Sequence, residues 1–132
     1  MTIAETLARF ALNLRYQQIP QPALQEARRF LLDSVGCAMA GLQNEDMAAE
    51  HRYIENLGGA PRATVMGTGF KTDAANAALM NSLLIRALDD HDIYWKQDPS
   101  HPSDVIPAAL STGEPAHRDV QKLLVGVVMA YE

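Results

Sequence analysis

The chain contains a single cysteine, Cys37, so it cannot close an internal disulfide, and it lacks the roughly three or four thiolates that hold an iron–sulfur cluster. Basic residues are scarce. Eleven Lys and Arg stand against 16 Asp and Glu, for a net charge of −5 and a pI near 5.3. Such a surface is not built to neutralise phosphates, which argues against a nucleic-acid partner. Long apolar runs are also missing: the stretch 123–130 falls far short of the roughly 18 to 20 residues that a membrane span requires. Met1-Thr2-Ile3-Ala4-Glu5 carries no basic region, and Glu5 and Arg9 interrupt the apolar segment of a secretory signal. No membrane association and a cytoplasmic location are therefore expected. Gly67-Thr68-Gly69 lacks the third glycine and the strand-to-helix context of a nucleotide loop.

What is present suits one helical domain: 132 residues, 48% of them apolar, are enough for a core. Thr2 and Glu5 form a capping-box pattern, and Ile3, Leu7, Phe10 and Leu14 then recur at helical steps, which predicts a helix over about 3–15. Pro22 suits a first helical position, and Leu24, Ala27, Leu31, Ser34, Val35 and Ala38 mark one face of a second helix that ends at Gly41. Asn44, Glu45 and Asp46 start a third, closed by Gly58-Gly59. Residues 62–70 hold the one β-prone segment, at most a short hairpin. Thr72 is the expected cap of a fourth helix to about Leu88, apolar on nearly every face and hence the expected centre of the core. A short fifth helix to about Thr112 and a sixth through Val120, Leu124, Val127, Val128 and Tyr131 follow. The fold class expected is all-α. The sixth pattern has no terminating residue, which suggests the front portion of a longer protein.

Only one segment gathers several titratable groups, the stretch 89–104 with Asp89, Asp90, His91, Asp92 and His101. Carboxylates beside imidazoles are the residues of proton transfer, because an Asp can fix the tautomer of a His and raise its basicity. A solvated acidic connector is the commoner meaning of such a loop. A metal site is the rarer one, since the His and Asp spacing matches no fixed metal motif. Tyr94 and Trp95 either wall a pocket or pin the loop to the core. Cys37 reads as a small buried hydrophobe.

Leu88-Asp89-x-x-Asp92 followed by Ser100-His101-Pro102-Ser103-Asp104-x-Ile106-Pro107-Ala108-Ala109 resembles the MmgE/PrpD family, which includes 2-methylcitrate dehydratase, cis-aconitate decarboxylase and an iminodisuccinate epimerase. Leu31-Leu32-Asp33-Ser34-Val35-Gly36-Cys37-Ala38-Met39-Ala40-Gly41, Ala75-Asn76-Ala77-Ala78-Leu79-Met80-Asn81 and Tyr131-Glu132 resemble further segments of that family, in the same order. The resemblance implies that 1–132 is the N-terminal part of a large helical domain, with the rest of that domain and a smaller α/β domain lying beyond it, and that the protein dimerises through the helical domain. It also implies a lyase that needs no cofactor or metal and acts on a small polycarboxylate. His101 and Asp89 would be catalytic, Asp89 orienting the His101 ring, with His91, Asp92 and Ser103 binding substrate. Many members have Thr where this chain has Ile93. The loop itself is acidic: from Arg86 to Asp104 two cations, Arg86 and Lys96, face five acids, so cations from elsewhere must balance a polycarboxylate. The alternative from another class is a non-catalytic helical association module, or the remnant of a decayed gene, in which helices 72–88 and 117–132 pair with another chain.

Overall fold

The computed structural model describes residues 2–95 and 99–131. Among these, besides two short 3-10 turns (Tyr16–Gln18 and Pro102–Val105), the regular structure is six α-helices and one minimal hairpin, in the order α1 (Ile3–Asn13), α2 (Gln21–Gly41), α3 (Glu45–Leu57), β1 (Ala63–Thr64), β2 (Lys71–Thr72), α4 (Ala74–Arg86), α5 (Ile106–Gly113) and α6 (Val120–Tyr131). The mainly helical class expected from the sequence holds. Helix starts follow local chemistry. At α1 the Glu5 amide donates to Thr2 Oγ1 at 3.2 Å and the Thr2 amide donates to Glu5 Oε2 at 2.7 Å, the reciprocal capping box. At α3 the Asp46 amide donates to the Asn44 side chain at 2.9 Å, and the helix stops at Gly58 with φ +72°.

The strands pair Ala63 with Thr72 and Thr64 with Lys71, the short hairpin expected near residues 62–70. One expectation needs correction. Thr72 does not cap α4, because the ladder and a hydrogen bond from its hydroxyl to the Gly58 carbonyl already engage it. Asp73 caps instead, its Oδ1 accepting from the amides of Ala75 and Asn76 at 2.9 and 3.0 Å.

Helix α4 packs against α2 and α5 and buries Ala77, Met80, Asn81, Leu84 and Ile85, as its nearly all-round apolar pattern requires. The buried Asn81 is bonded at both ends of its amide: its Oδ1 accepts from the Met66 amide at 2.8 Å and its Nδ2 donates to the Thr64 carbonyl at 3.0 Å, fastening the hairpin to α4. Glu114, just past the end of α5, fastens the same hairpin, accepting from the Thr64 amide, the Thr64 hydroxyl and Lys71 Nζ at 2.7, 2.7 and 2.8 Å. The Lys71 ammonium holds its carboxyl below the usual carboxylate range. Apolar side chains form two clusters: Ala38, Ile54, Val65, Met80, Leu84 and Ile85 in one, and Ile19, Leu24, Ala27, Ile106, Leu124 and Val127 in the other.

The α2–α4 crossing is close. A Cβ at Gly41 would overlap the backbone carbonyl of Leu84, and neither backbone can yield cheaply. Gly41→Ala is therefore expected to destabilise the fold by about 1–3 kcal/mol, the range for overpacking a dense core, read as a lower thermal midpoint; an unchanged midpoint would mean that the helices are not in this contact.

Helix α1 departs from the pattern of the others. Its face of Ile3, Leu7 and Phe10 stays 81, 60 and 42% exposed, and no residue of α1 is buried. Periodicity correctly marks the apolar face, but nothing among the described residues covers it. No helix among them is long and apolar enough to cross a membrane.

Candidate active site

Helix α4 ends at Arg86, and the chain leaves it through Asp89, whose φ of +55° is a left-handed conformation that Asp adopts more readily than most residues. The loop then returns along itself. Tyr94 and Ser100 exchange backbone hydrogen bonds at 2.8 and 3.0 Å, an antiparallel bridge that brings His101 back beside Asp92. Pro102 starts a 3-10 turn, Pro102–Val105, which carries His101 and Ser103 against the core end of α5.

Four of the five residues singled out in the sequence meet here, and Asp92 is their hub. Its backbone carbonyl lies 2.6 Å from His101 Nδ1. Its Oδ1 accepts from the Ser103 amide at 3.2 Å, and its Oδ2 accepts from the Tyr131 hydroxyl at 2.8 Å. The rings of His91 and His101 lie 4.3 Å apart between centroids, tilted by 57°. A carbonyl can only accept a hydrogen bond, so Nδ1 of His101 carries the hydrogen and the neutral ring keeps its lone pair on Nε2. That is the tautomer of a general base.

Asp89, the fifth, does not orient this ring: it is exposed, and its side chain makes no hydrogen bond among the described residues. The left-handed turn after α4 sets it apart from Asp92, and the Asp92 carbonyl holds Nδ1 in its place. Both ring nitrogens of His91 and the hydroxyl of the buried Ser103 have no hydrogen-bond partner among the described residues. No group of three or more His, Cys, Asp and Glu among them could hold a metal ion. Trp95 is 76% exposed, so it does not pin the loop.

Two contacts were not foreseen. Tyr131 was visible as an apolar-spaced residue near the end and as part of a family-like segment, with no sign of a role in the site, yet it reaches the loop from α6 and stacks on Phe30 of α2 at 4.9 Å. Burial, and then its bond to the Asp92 carboxylate, push its hydroxyl far above the usual tyrosine range, so it stays a donor. Cys37 of α2 donates from Sγ to the Asp90 carbonyl at 3.2 Å. Burial, followed by Asp33, Asp90 and Asp92, raises its thiol, which makes it a poor nucleophile. Arg86 is already engaged, 2.8 Å from Asp104, and Lys96 lies outside the described residues. A separate cleft of about 410 Å³, walled by Val35, Met39, Met66, Leu110 and Leu123, includes none of the loop residues.

The chemistry of this loop can be set beside known proteins. The model of the MmgE/PrpD N-terminal domain matches residues 5–132. The chain belongs to the MmgE/PrpD family. Among curated members, cis-aconitate decarboxylase of Aspergillus terreus is 28% identical over 118 residues, covering 85% of this chain and 23% of the relative. The 2-methylcitrate dehydratase of Salmonella typhi is 28% identical over 130 residues, covering 90% of this chain and 27% of the relative. The mitochondrial 2-methylcitrate dehydratase of Yarrowia lipolytica is 29% identical over 107 residues, covering 80% and 21%. The chain thus spans about a quarter of the length of the family members it matches.

Proposed function

We propose that this chain is the front part of the helical domain of a cofactor-free lyase that acts on a small polycarboxylic acid, in the manner of a 2-methylcitrate dehydratase. The observation that carries the reading is the His101 ring, held through Nδ1 by a backbone carbonyl so that Nε2 presents a lone pair. In the proposed reaction Nε2 removes a proton from the carbon next to a carboxylate. The electron pair passes into that carboxylate as an enediolate and then expels the neighbouring hydroxyl, which leaves as water once protonated. His91 and Ser103, with polar atoms unpartnered among the described residues, and Asp92 beside them are the proposed substrate contacts.

Asp89, exposed where the chain leaves α4, is the second proposed catalytic residue, its carboxylate free to meet the substrate rather than the His101 ring. Asn tolerates a left-handed φ as well as Asp does, so Asp89→Asn is expected to keep the folding stability within about 0.5 kcal/mol of the parent while turnover falls. A large loss of stability with unchanged activity per folded molecule would make Asp89 structural.

The cations that offset a polycarboxylate, and the acid that protonates the leaving hydroxyl, are assigned to the remainder of the longer protein. The association-module alternative draws less support, because α4 and α6 spend their buried residues on the chain's own two clusters. The exposed apolar face of α1 is the surface this chain brings to a homodimer. The proposal is tested by reading the coding DNA past Glu132 and assaying the complete product on 2-methylcitrate, citrate and cis-aconitate. A continuation carrying a Lys and a His, with formation or consumption of an unsaturated acid, supports it; a stop codon there, or no turnover of any polycarboxylate, counts against it.

A further inference from the structure

The contacts of Asp92 run in three directions and join three parts of the fold. Its carbonyl meets His101, its Oδ1 meets the Ser103 amide in the turn that follows, and its Oδ2 meets Tyr131 on α6. The Tyr131 ring is braced from the other side by Phe30 on α2, with the planes 27° apart, so the hydroxyl is delivered from a fixed position. The carboxylate of Asp92 has no cation among the described residues at salt-bridge distance. Among the described residues two neutral donors locate it, and one of them, Tyr131, comes from outside the loop.

We propose that Tyr131 is a positioning residue: by anchoring the Asp92 carboxylate it holds the Asp92 carbonyl against His101 Nδ1 and so keeps the lone pair of His101 on Nε2. Tyr131 touches neither the imidazole nor any reacting atom in this arrangement. Its effect passes through the geometry of Asp92. The tautomer assignment needs only the contacts above, whereas the value of that tautomer to turnover rests on the reading of His101 as the proton-transfer group.

The test is a nitrogen-15 spectrum of the histidine side chains of this chain, recorded in the solid state so that self-association does not interfere, at a pH where the rings are neutral. His101→Gln assigns the signals. In the parent, His101 is expected to show a protonated Nδ1 and a bare Nε2, although an unconstrained imidazole prefers the hydrogen on Nε2. Tyr131→Phe keeps the ring stacked on Phe30 and removes only the hydroxyl. It is expected to lower the ratio of the Nδ1–H to the Nε2–H form by roughly fivefold, the factor that corresponds to one ordinary hydrogen bond, with unchanged helical circular dichroism. An unchanged ratio in folded Tyr131→Phe overturns the proposal. So does an Nε2–H ring in the parent, whatever the variant does. A tautomer that shifts as expected in a protein whose complete form shows no lyase turnover would retire the proton-transfer reading and leave the Tyr131 relay standing.

Discussion

Replacing His101 by Gln in the complete enzyme is expected to lower kcat by roughly 100-fold or more, the usual scale for the loss of a general base. The substitution suits the geometry. A Gln side chain is close to His in size and keeps a polar amide near the Asp92 carbonyl, which now lies 2.6 Å from Nδ1, while the basic lone pair disappears. Thermal midpoint and circular dichroism should stay near those of the parent, and the loss should fall on kcat more than on KM, because a proton in flight belongs to the transition state. Near-normal turnover of a folded His101→Gln enzyme would remove His101 from the mechanism.

The 132-residue chain alone is expected to show no measurable lyase turnover. A lone general base supplies about 100-fold to 10,000-fold, whereas enzymes commonly reach about a million-fold or more over the uncatalysed reaction. The difference must come from groups that bind several carboxylates and protonate a leaving hydroxyl. Here the loop carries five acids against two cations, and one of those cations, Arg86, already pairs with Asp104. The same segment is expected to self-associate, since Ile3, Leu7, Leu12 and Leu32 are each more than half exposed and invite burial against a partner. Ultraviolet absorbance of the unsaturated acid, followed alongside light scattering with 2-methylcitrate, citrate and cis-aconitate, checks both halves. Clear turnover by a monodisperse monomer would contradict both.

How much of this was legible in the sequence depends on the range of the interaction. Capping at Thr2 and Asn44 is settled within three residues, so both helix starts could be read directly. The α4 cap was displaced from Thr72 to Asp73 by a ladder with Ala63, nine residues away, which no local pattern encodes. For α1 the spacing of Ile3, Leu7 and Phe10 gave the apolar face but could not say what, if anything, covers it. In the candidate site, the sequence showed His101 as a member of a cluster of acids and imidazoles, and the role expected of it came from the family resemblance. The group that orients it was not legible. Every residue has a carbonyl, so the choice of the Asp92 backbone over the Asp89 carboxylate follows from the left-handed turn at Asp89 and the Tyr94–Ser100 bridge, neither of which has a periodic signature. Tyr131 meets Asp92 across 39 positions of sequence, a pairing that only the assembled helices create.

The central claim is that His101 moves a proton at carbon, and solvent isotope exchange reads that step without requiring the whole reaction to run. The complete protein is incubated in deuterium oxide with 2-methylcitrate or a related polycarboxylate, and deuterium entering the position next to a carboxylate is followed by proton NMR. Exchange that proceeds with the parent and slows by roughly 100-fold or more in His101→Gln is the predicted result. Exchange at the same rate in both would contradict it.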